Sequence, residues 1–280
     1  MASGMSLRNI PSDMAPASVA EVDGILAAIR REQNVHIPLA IESGSRAWGF
    51  PSPDSDYDGR FIYVRPASQA LTIWPRRDVI EAPLVGDMDV NGWDLSKALR
   101  LLLKGNAVVV EWLQSPIAYA GEAWFRDELL AFAERWLNRD LVLTHYLHLG
   151  RRQKILHLDD QSEVSLKKTF YVLRPAMALR WLRLHPGRAV APMHLPTLME
   201  QCSPPEELAV MVEELRRLKA VTREMGKGPI PPVLLQFIEE EFRAVEILDR
   251  SSIPRSMEAA READALFVRA TLRLDAVSPG

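Results

Sequence analysis

The sequence predicts an α+β protein in which a small α/β domain is followed by an all-helical domain. A chain of 280 residues suits two modest domains. Apolar runs of strand length occur only between Ile37 and Trp93, and beyond about Gly121 the apolar residues recur at helical spacing. We therefore assign residues 18–116 to the first domain and residues 117–275 to the second.

The first domain begins with an amphipathic helix and a buried strand. Ser18 and Glu21 have the spacing of a capping box, and the apolar residues after them predict a helix that ends near Asn34. The apolar segment Ile37 to Ser43 then has the length of a strand and leads directly into a glycine-containing turn. This order predicts a helix, a strand and a tight turn.

Two further strand regions follow the turn. In residues 57–66, side chains rich in strand-forming types occupy both faces, with Phe61, Tyr63 and Arg65 alternating with Arg60, Ile62 and Val64 until Pro66 ends the strand. A third strand region lies within residues 78–93 and is interrupted by Pro83 and Gly86. Asp94 then caps a helix that Gly105 ends, and we expect no strands after it.

The remainder of the chain is predicted to be helical. Proline residues separate the helical segments, since proline cannot continue a helix. The predicted helices lie near residues 121–137, 140–158, 163–184, 205–225, 231–249 and 255–272.

Composition indicates a cytoplasmic protein without a global attraction to nucleic acid. The net charge of −3 means that any polyanion must be bound by local basic patches. Cys202 is the single cysteine, which excludes an internal disulfide and cysteine-rich zinc sites. The sequence contains no uncharged apolar run of about 18 residues, so we expect no membrane segment. The oligomeric state is left open by these data.

The segment from Gly44 to Arg60 contains the candidate metal-binding and phosphate-binding residues. Asp56 and Asp58 are two residues apart at the start of a predicted strand, so both side chains face the same side, about 6.5 Å apart. Adjacent carboxylates repel each other unless a cation offsets them. Mg²⁺ prefers such oxygens and accepts few protein ligands, which suits a site completed by a nucleoside triphosphate.

The turn before these aspartates is suited to phosphate. Gly44 allows close approach of the backbone, Ser45 offers a hydroxyl group and Arg46 adds a positive charge. The alternative is that Gly44 and Gly49 only form turns and that the aspartates belong to a solvated acidic loop. The combination of strand, Gly-Ser turn and next strand favours the phosphate and metal site.

These residues resemble a known signature. Gly-Ser followed by Ser-Asp-x-Asp, here Gly44, Ser45, Ser55, Asp56 and Asp58, is similar to the motif of nucleotidyltransferases of the DNA polymerase β superfamily. More narrowly, residues 37–198 resemble the YcgL or RlaP type, some members of which are linked to RNA repair; the matching segments are GSRAWG, SDYDGRFIYV, KALRLLLKGN, EWLQSP and KKTFYVLRPAMALRWL.

The resemblance implies an enzyme. It implies a polymerase β-like catalytic domain with a mixed sheet at residues 18–116 and a substrate-binding helical domain after it. Gly44, Ser45 and Ser55 would hold an NTP such as ATP, and Asp56 and Asp58 would hold two Mg²⁺ or Mn²⁺ ions. An acceptor hydroxyl would attack the α-phosphorus and release pyrophosphate. The acceptor is left open, with an RNA end among the candidates.

The family pattern also implies a third carboxylate, for which Asp87, Asp89 and Asp94 are candidates. Asp94 precedes a helix and suits an N-cap, while Asp87 follows Gly86 and suits a turn. In the strand MDVNGW, Asp89 points away from the core-facing Met88 and Val90. We therefore predict Asp89 as the third catalytic and metal-binding residue.

Basic and aromatic residues outside the motif give further predictions. Lys168 and Arg174 are predicted to bind the nucleotide, because Pro175 can kink the helix and turn Arg174 toward the cleft. Six tryptophans at apolar positions are predicted to lie in the core rather than to stack on bases: Trp74, Trp93, Trp112, Trp124, Trp136 and Trp181.

Two competing functions can be stated. Gly44 and Gly49 have the interval of a P-loop, but Phe50 and Pro51 stand where lysine and serine or threonine are required, which excludes that site. The second alternative is an inactive nucleotidyltransferase fold that acts as a nucleotide sensor or as an antitoxin-like protein-binding module. Asp56 and Asp58 argue for the enzyme.

Overall fold

The computed structural model describes residues 6–74, 76–84, 86–159, 163–223, 225–248 and 256–276. These residues form an α+β structure with a mixed five-stranded sheet and many helices, as the sequence predicts. Among them, no helix combines the length and the apolar character needed to cross a membrane.

The five strands of the sheet are β1 (His36–Glu42), β2 (Tyr57–Val64), β3 (Val79–Glu81), β4 (Met88–Asp94) and β5 (Ala118–Gly121). Their order across the sheet is β3-β4-β2-β1-β5. β2 and β4 run parallel, whereas β1 pairs antiparallel with both β2 and β5, and β3 pairs antiparallel with β4. The parallel pair β2 and β4 therefore lies inside the sheet.

The sequence predicted the first two strands and the region of the next two. The third strand region divides into β3 and β4, and Pro83 and Gly86 lie in the connection between them. The expectation that strands cease after Trp93 is wrong, because β5 completes the edge of the sheet beside β1. Three of the four residues of β5 are alanine or glycine, whose strand propensity is low, so local sequence provides little signal for this strand.

Helices make up most of the remaining structure. Two short strands, β6 (Val164–Ser165) and β7 (Lys227–Gly228), pair with each other. The helices are α1 (Pro16–Gln33), α2 (Gly44–Ala47), α3 (Ala67–Ala70), α4 (Leu95–Leu102), α5 (Ala107–Gln114), α6 (Ala123–Trp136), α7 (Arg139–His157), α8 (Leu166–Leu184), α9 (Leu195–Cys202), α10 (Glu206–Val221), α11 (Pro232–Glu246) and α12 (Met257–Asp275).

Several helix ends follow local sequence signals. Asp94 caps α4, with its side chain accepting a hydrogen bond of 2.8 Å from the Ser96 N–H, as predicted. Asn34 ends α1 in the left-handed conformation, but the helix begins at Pro16 rather than at Ser18. Proline suits the first turn of a helix because the N–H that it lacks would be unpaired there. The sequence did not predict α9.

The sheet has two buried faces. Phe61 and Tyr63 of β2 pack with α1, whereas Ile62 and Val64 face the other side. That second face continues into the apolar core of the helices, so the sheet and the helical part share one core cluster. The division at residues 116 and 117 stays a proposal, and β5, which lies beyond it, belongs to the sheet.

The tryptophans divide between core and surface. Trp112 and Trp181 are buried, and Trp93, Trp124 and Trp136 pack against the core as predicted. Trp74 contradicts the prediction, because 75% of it is exposed. It lies in the segment between α3 and β3, outside the helices and the sheet.

Candidate active site

The turn after β1 places a glycine against a carboxylate. Gly44 has a φ of +60°, which favours glycine, and a Cβ atom at this position would lie 1.8 Å from Oδ2 of Asp58. A side chain at residue 44 would therefore displace the Asp58 carboxylate. The backbone of the turn and the carboxylate on β2 consequently form one compact site.

Hydrogen bonds between three serines connect the Gly-Ser turn to the loop that precedes β2. Ser45 donates to the hydroxyl group of Ser55 over 2.8 Å, and the Ser52 N–H donates to the same oxygen over 2.9 Å. All three serines are buried. The loop that leads to β2 is thus fixed to the Gly-Ser turn, which brings the predicted residues Ser45 and Ser55 together.

Arg46 connects the turn to the aspartate segment. Its guanidinium group donates to the carbonyl oxygens of Ser55 (2.7 Å) and Asp56 (3.3 Å) and lies 4.2 Å from the centroid of the Tyr57 ring. These contacts hold a positive charge beside the site.

The parallel pairing of β2 and β4 brings two carboxylates together. Asp58 and Asp89 are direct register partners on the two strands. Asp56 lies one residue before β2 and is exposed, as is Asp87 in the turn before β4. Asp94 serves as the cap of α4 at the opposite end of β4. Of the three candidates for the third carboxylate, Asp89 is therefore the one beside Asp58.

Arg60 lies between these two carboxylates, and the sequence did not predict it. Its Nη2 atom is 3.0 Å from Oδ1 of Asp58 and 2.7 Å from Oδ2 of Asp89. Burial raises the pKa of Asp58, and so do the charges of Asp89 and Asp56, while Arg60 opposes the increase. The site therefore combines the carboxylates of Asp56, Asp58 and Asp89 with the guanidinium groups of Arg60 and Arg46, both of which act to lower the pKa of Asp58.

Glu42 binds the backbone of Asp58 from the neighbouring strand β1, and sequence analysis also missed this residue. It is completely buried on β1, where it accepts hydrogen bonds from the Asp58 N–H (3.0 Å) and the Tyr119 hydroxyl group. Burial raises the pKa of Glu42 to about 7. A buried glutamate at the end of an apolar strand was the available signal, since such groups need a specific partner.

Comparison with known proteins places the chain in a family. A family model described as the RNA repair pathway DNA polymerase beta family, RlaP, matches residues 20–269. The chain belongs to this RlaP family. An uncharacterized protein of Bacillus subtilis (strain 168), YcgL, is similar as well: 39% of 240 aligned residues are identical, covering 86% of this chain and 87% of the relative.

Membership in the RlaP family agrees with the fold and with the position of the motif. The family is a polymerase β-like nucleotidyltransferase family linked to RNA repair. The matched region includes the whole sheet and nearly all of the helical part. Within the residues that the structure describes, no group of three or more His, Cys, Asp or Glu residues meets the geometry of a metal site.

In this RlaP-family chain, the beginning of α8 packs beside the segment that follows the Gly-Ser turn, with the Tyr171 ring centroid 5.9 Å from that of Trp48 and 6.4 Å from that of Phe50. Tyr171 of α8 has a raised pKa, first because it is partly buried and second because the charges of Asp58 and Asp56 act on it. Lys168, one turn earlier, places its ammonium group 4.9 Å from the centroid of the Tyr171 ring. The beginning of α8 therefore lies near the aspartates, and Tyr171 is a residue that sequence analysis missed.

Arg174 has a different environment. It is buried, and its guanidinium group binds the buried Glu111 at 2.6 Å and lies 4.1 Å from the centroid of the Trp48 ring. Pro175 follows it inside α8, which remains one helix. The structure thus gives Arg174 a packing contact, and its predicted nucleotide-binding role stays a prediction.

Proposed function

We propose that this protein is a metal-dependent nucleotidyltransferase that transfers an NMP from an NTP to an acceptor hydroxyl group on RNA. One observation carries the proposal: Asp58 and Asp89 are paired on adjacent parallel strands, directly beside the Gly44 turn. A family linked to RNA repair supports the choice of acceptor.

The carboxylates suit divalent cations. Burial raises the pKa of Asp58, and the like charges of Asp89 and Asp56 add to the increase against the opposing charge of Arg60. Asp56, Asp58 and Asp89 would hold two Mg²⁺ or Mn²⁺ ions, since these cations prefer carboxylate oxygens. When bound, the ions would supply charge stabilisation for the attacking and leaving oxygens.

The residues around the turn would bind and orient the triphosphate. The lack of a side chain at Gly44 lets the Asp58 carboxylate lie directly against the turn, and the Ser45–Ser55 hydrogen bond fixes both hydroxyl groups. Arg46 and Lys168 would offset the phosphate charge from two sides of the site. Such positioning and charge neutralisation are the main requirements of nucleotidyl transfer.

The acceptor can be identified by transfer of a label. The protein would be incubated with each α-labelled NTP, Mg²⁺ or Mn²⁺, and total RNA or total protein in separate reactions. We expect label in the RNA, metal dependence, and no label with the Asp58→Asn variant. If label appeared only in protein, the protein would still be a nucleotidyltransferase, but RNA would be excluded as its acceptor.

The position of Arg60 favours a second candidate function. In this alternative the protein is an inactive nucleotidyltransferase fold that senses nucleotides or binds a protein partner. The guanidinium group of Arg60 contacts both Asp58 and Asp89 and so supplies a cation without any metal. Under this alternative the protein binds an NTP but releases no pyrophosphate and labels no acceptor. The labelling experiment therefore distinguishes the two candidates.

A further inference from the structure

A basic and aromatic surface lies at the end of the sheet opposite to the aspartates. We call it the Arg–Trp surface. It borders a cleft of about 330 Å³ beyond the ends of β2 and β4, with Phe267 of α12 on its other side. Its members are Arg65, Trp74, Arg76, Arg77 and Arg100.

The charge of this surface is opposite to that of the whole chain, which is −3. Asp78 is shared by two cations, Lys97 at 3.2 Å and Arg100 at 3.0 Å. Among the described residues, Arg76 has no carboxylate within ion-pair distance and donates only to the Gln69 amide oxygen, at 3.4 Å. Five cations therefore face three carboxylates: Arg65, Arg76, Arg77, Lys97 and Arg100 against Asp78, Glu81 and Asp94.

Apolar groups are exposed at the same place. Trp74 is 75% exposed, and its neighbours Leu71 and Ile73 are 85% and 88% exposed. A large aromatic side chain without core contacts indicates a binding role more strongly than a folding role. Exposed aromatic rings among arginines are the features with which proteins hold single-stranded nucleic acid, through base stacking and phosphate contacts.

The surface lies within reach of the candidate active site. Arg65 directly follows β2, seven residues after Asp58, which corresponds to roughly 20 Å along an extended strand. Both faces of β2 are buried, so an RNA strand bound at the Arg–Trp surface would reach Asp58 around the edge of the sheet formed by β3, over a path longer than this distance.

We propose that the Arg–Trp surface binds the body of a single-stranded RNA whose end is the acceptor. Trp74 would stack on a base, and Arg76 and Arg77 would contact phosphates. The inference rests on the proposed function insofar as it takes RNA as the acceptor. It assigns a binding surface that is separate from the aspartates.

Binding is tested without NTP or metal, so that catalysis does not enter. Fluorescence anisotropy would measure the Kd of the full chain for a labelled single-stranded RNA of about twelve nucleotides. We expect Trp74→Ala to raise Kd roughly tenfold. We expect Arg76→Ala combined with Arg77→Ala to raise Kd roughly tenfold and to reduce the slope of log K against log salt concentration by about two.

A matched control is available elsewhere on the surface. Arg217 resembles Arg77, since both are well exposed and both pair with a glutamate four residues away. Arg217→Ala should leave the Kd unchanged. Thermal unfolding of each variant would establish that these exposed substitutions leave the fold intact.

The outcomes separate this inference from the proposed function. In an Asp58→Asn background, which transfers no nucleotide, Trp74→Ala should still raise the Kd roughly tenfold. Equal RNA affinity in the wild type and the surface variants would overturn the inference, whatever the transfer activity. The inference would also be overturned if the surface variants kept their RNA affinity and lost self-association instead. That result would show that the surface binds a second copy of the chain. RNA binding that depends on the surface, without any transfer, would reject only the proposed function.

Discussion

Asp58 and Asp89 lie together because β2 and β4 are parallel and share a register that begins at Tyr57 and Met88. Asp87 precedes this register by one residue, and its carbonyl oxygen accepts the Tyr57 N–H instead. Two aspartates that are two residues apart in sequence therefore have different environments. One faces Asp58, and the other is exposed in a turn.

This difference predicts unequal effects of two equivalent substitutions. Asp89→Asn should lower nucleotidyl transfer by at least about a hundredfold, because it removes a carboxylate from the proposed metal site. Asp87→Asn should leave the activity unchanged and shift the free energy of unfolding by less than about 0.5 kcal/mol. Steady-state rates of both variants would test the assignment. An inactive Asp87→Asn beside an active Asp89→Asn would refute it.

The position of Arg60 predicts that Mg²⁺ stabilises an Arg60 variant more than it stabilises the wild type. Arg60→Met retains an apolar stem but leaves Asp58 and Asp89 without their shared cation, so the free energy of unfolding should fall by about 1–3 kcal/mol. Mg²⁺ should replace the lost charge and raise the melting temperature of Arg60→Met more than that of the wild type. Melting curves with and without Mg²⁺ would measure this. Equal metal-induced shifts in both proteins would contradict the account.

The sequence predicted the residues of the motif but not the residues that support it. Gly44, Ser45, Asp56 and Asp58 are close in sequence, so strand and turn geometry alone relate them. Arg60 and Tyr171 lie near the aspartates because of strand register and the packing of a distant helix. Such relations cannot be obtained from local spacing.

At the scale of elements, the segment after α2 is held by the helical part. The carbonyl oxygens of Trp48, Gly49 and Phe50 accept hydrogen bonds from the Leu195 N–H, Arg216 and Lys219 respectively. Three consecutive carbonyl groups are thus bound by α9 and α10. Because this segment directly follows the Gly-Ser turn, the helical part helps to position the proposed nucleotide site.

Lys219 predicts a pH dependence. It is completely buried, and burial followed by the charge of Lys167 lowers its pKa from 10.5 to about 8. Between these values the unfolded chain still binds the proton and the folded chain does not, so this residue makes stability rise with pH. Relative to Lys219→Met, the wild type should gain about 3 kcal/mol of unfolding free energy from below pH 8 to pH 10.5.

Urea denaturation at several pH values would test this prediction. Arg216→Met is the matched control, because it removes a cation from the same helix and an arginine stays protonated in proteins. Its difference from the wild type should be constant with pH. A constant difference for Lys219→Met as well would show that Lys219 does not titrate in this range.

The elements that sequence analysis missed are those with weak local signals. α9 is a short helix that begins at Leu195 with Pro196 in its first turn, and Gly49 approaches it so closely that a Cβ there would lie 2.5 Å from His194. This contact joins residues that are far apart in sequence. By contrast, α4 was predicted with both its ends, because Asp94 and Gly105 supply local start and stop signals.

At the scale of the whole molecule, the aspartates lie where the sheet meets the helical part. One face of the sheet shares its core with the helices, and the beginning of α8 packs on Trp48 and Phe50, close to Asp56 and Asp58. Separate domains were predicted from the change in apolar spacing, which does not report on packing between them. The shared core explains how a helical part can position residues around a site that the sheet carries.

The most direct test of the central claim is pyrophosphate release from each NTP in the presence of RNA and Mg²⁺ or Mn²⁺. We predict metal-dependent release by the wild type and at least about a hundredfold slower release by Asp58→Asn, with both proteins equally folded. Absence of release from the folded wild type with every NTP and both metals, or equal release by Asp58→Asn, would contradict the account.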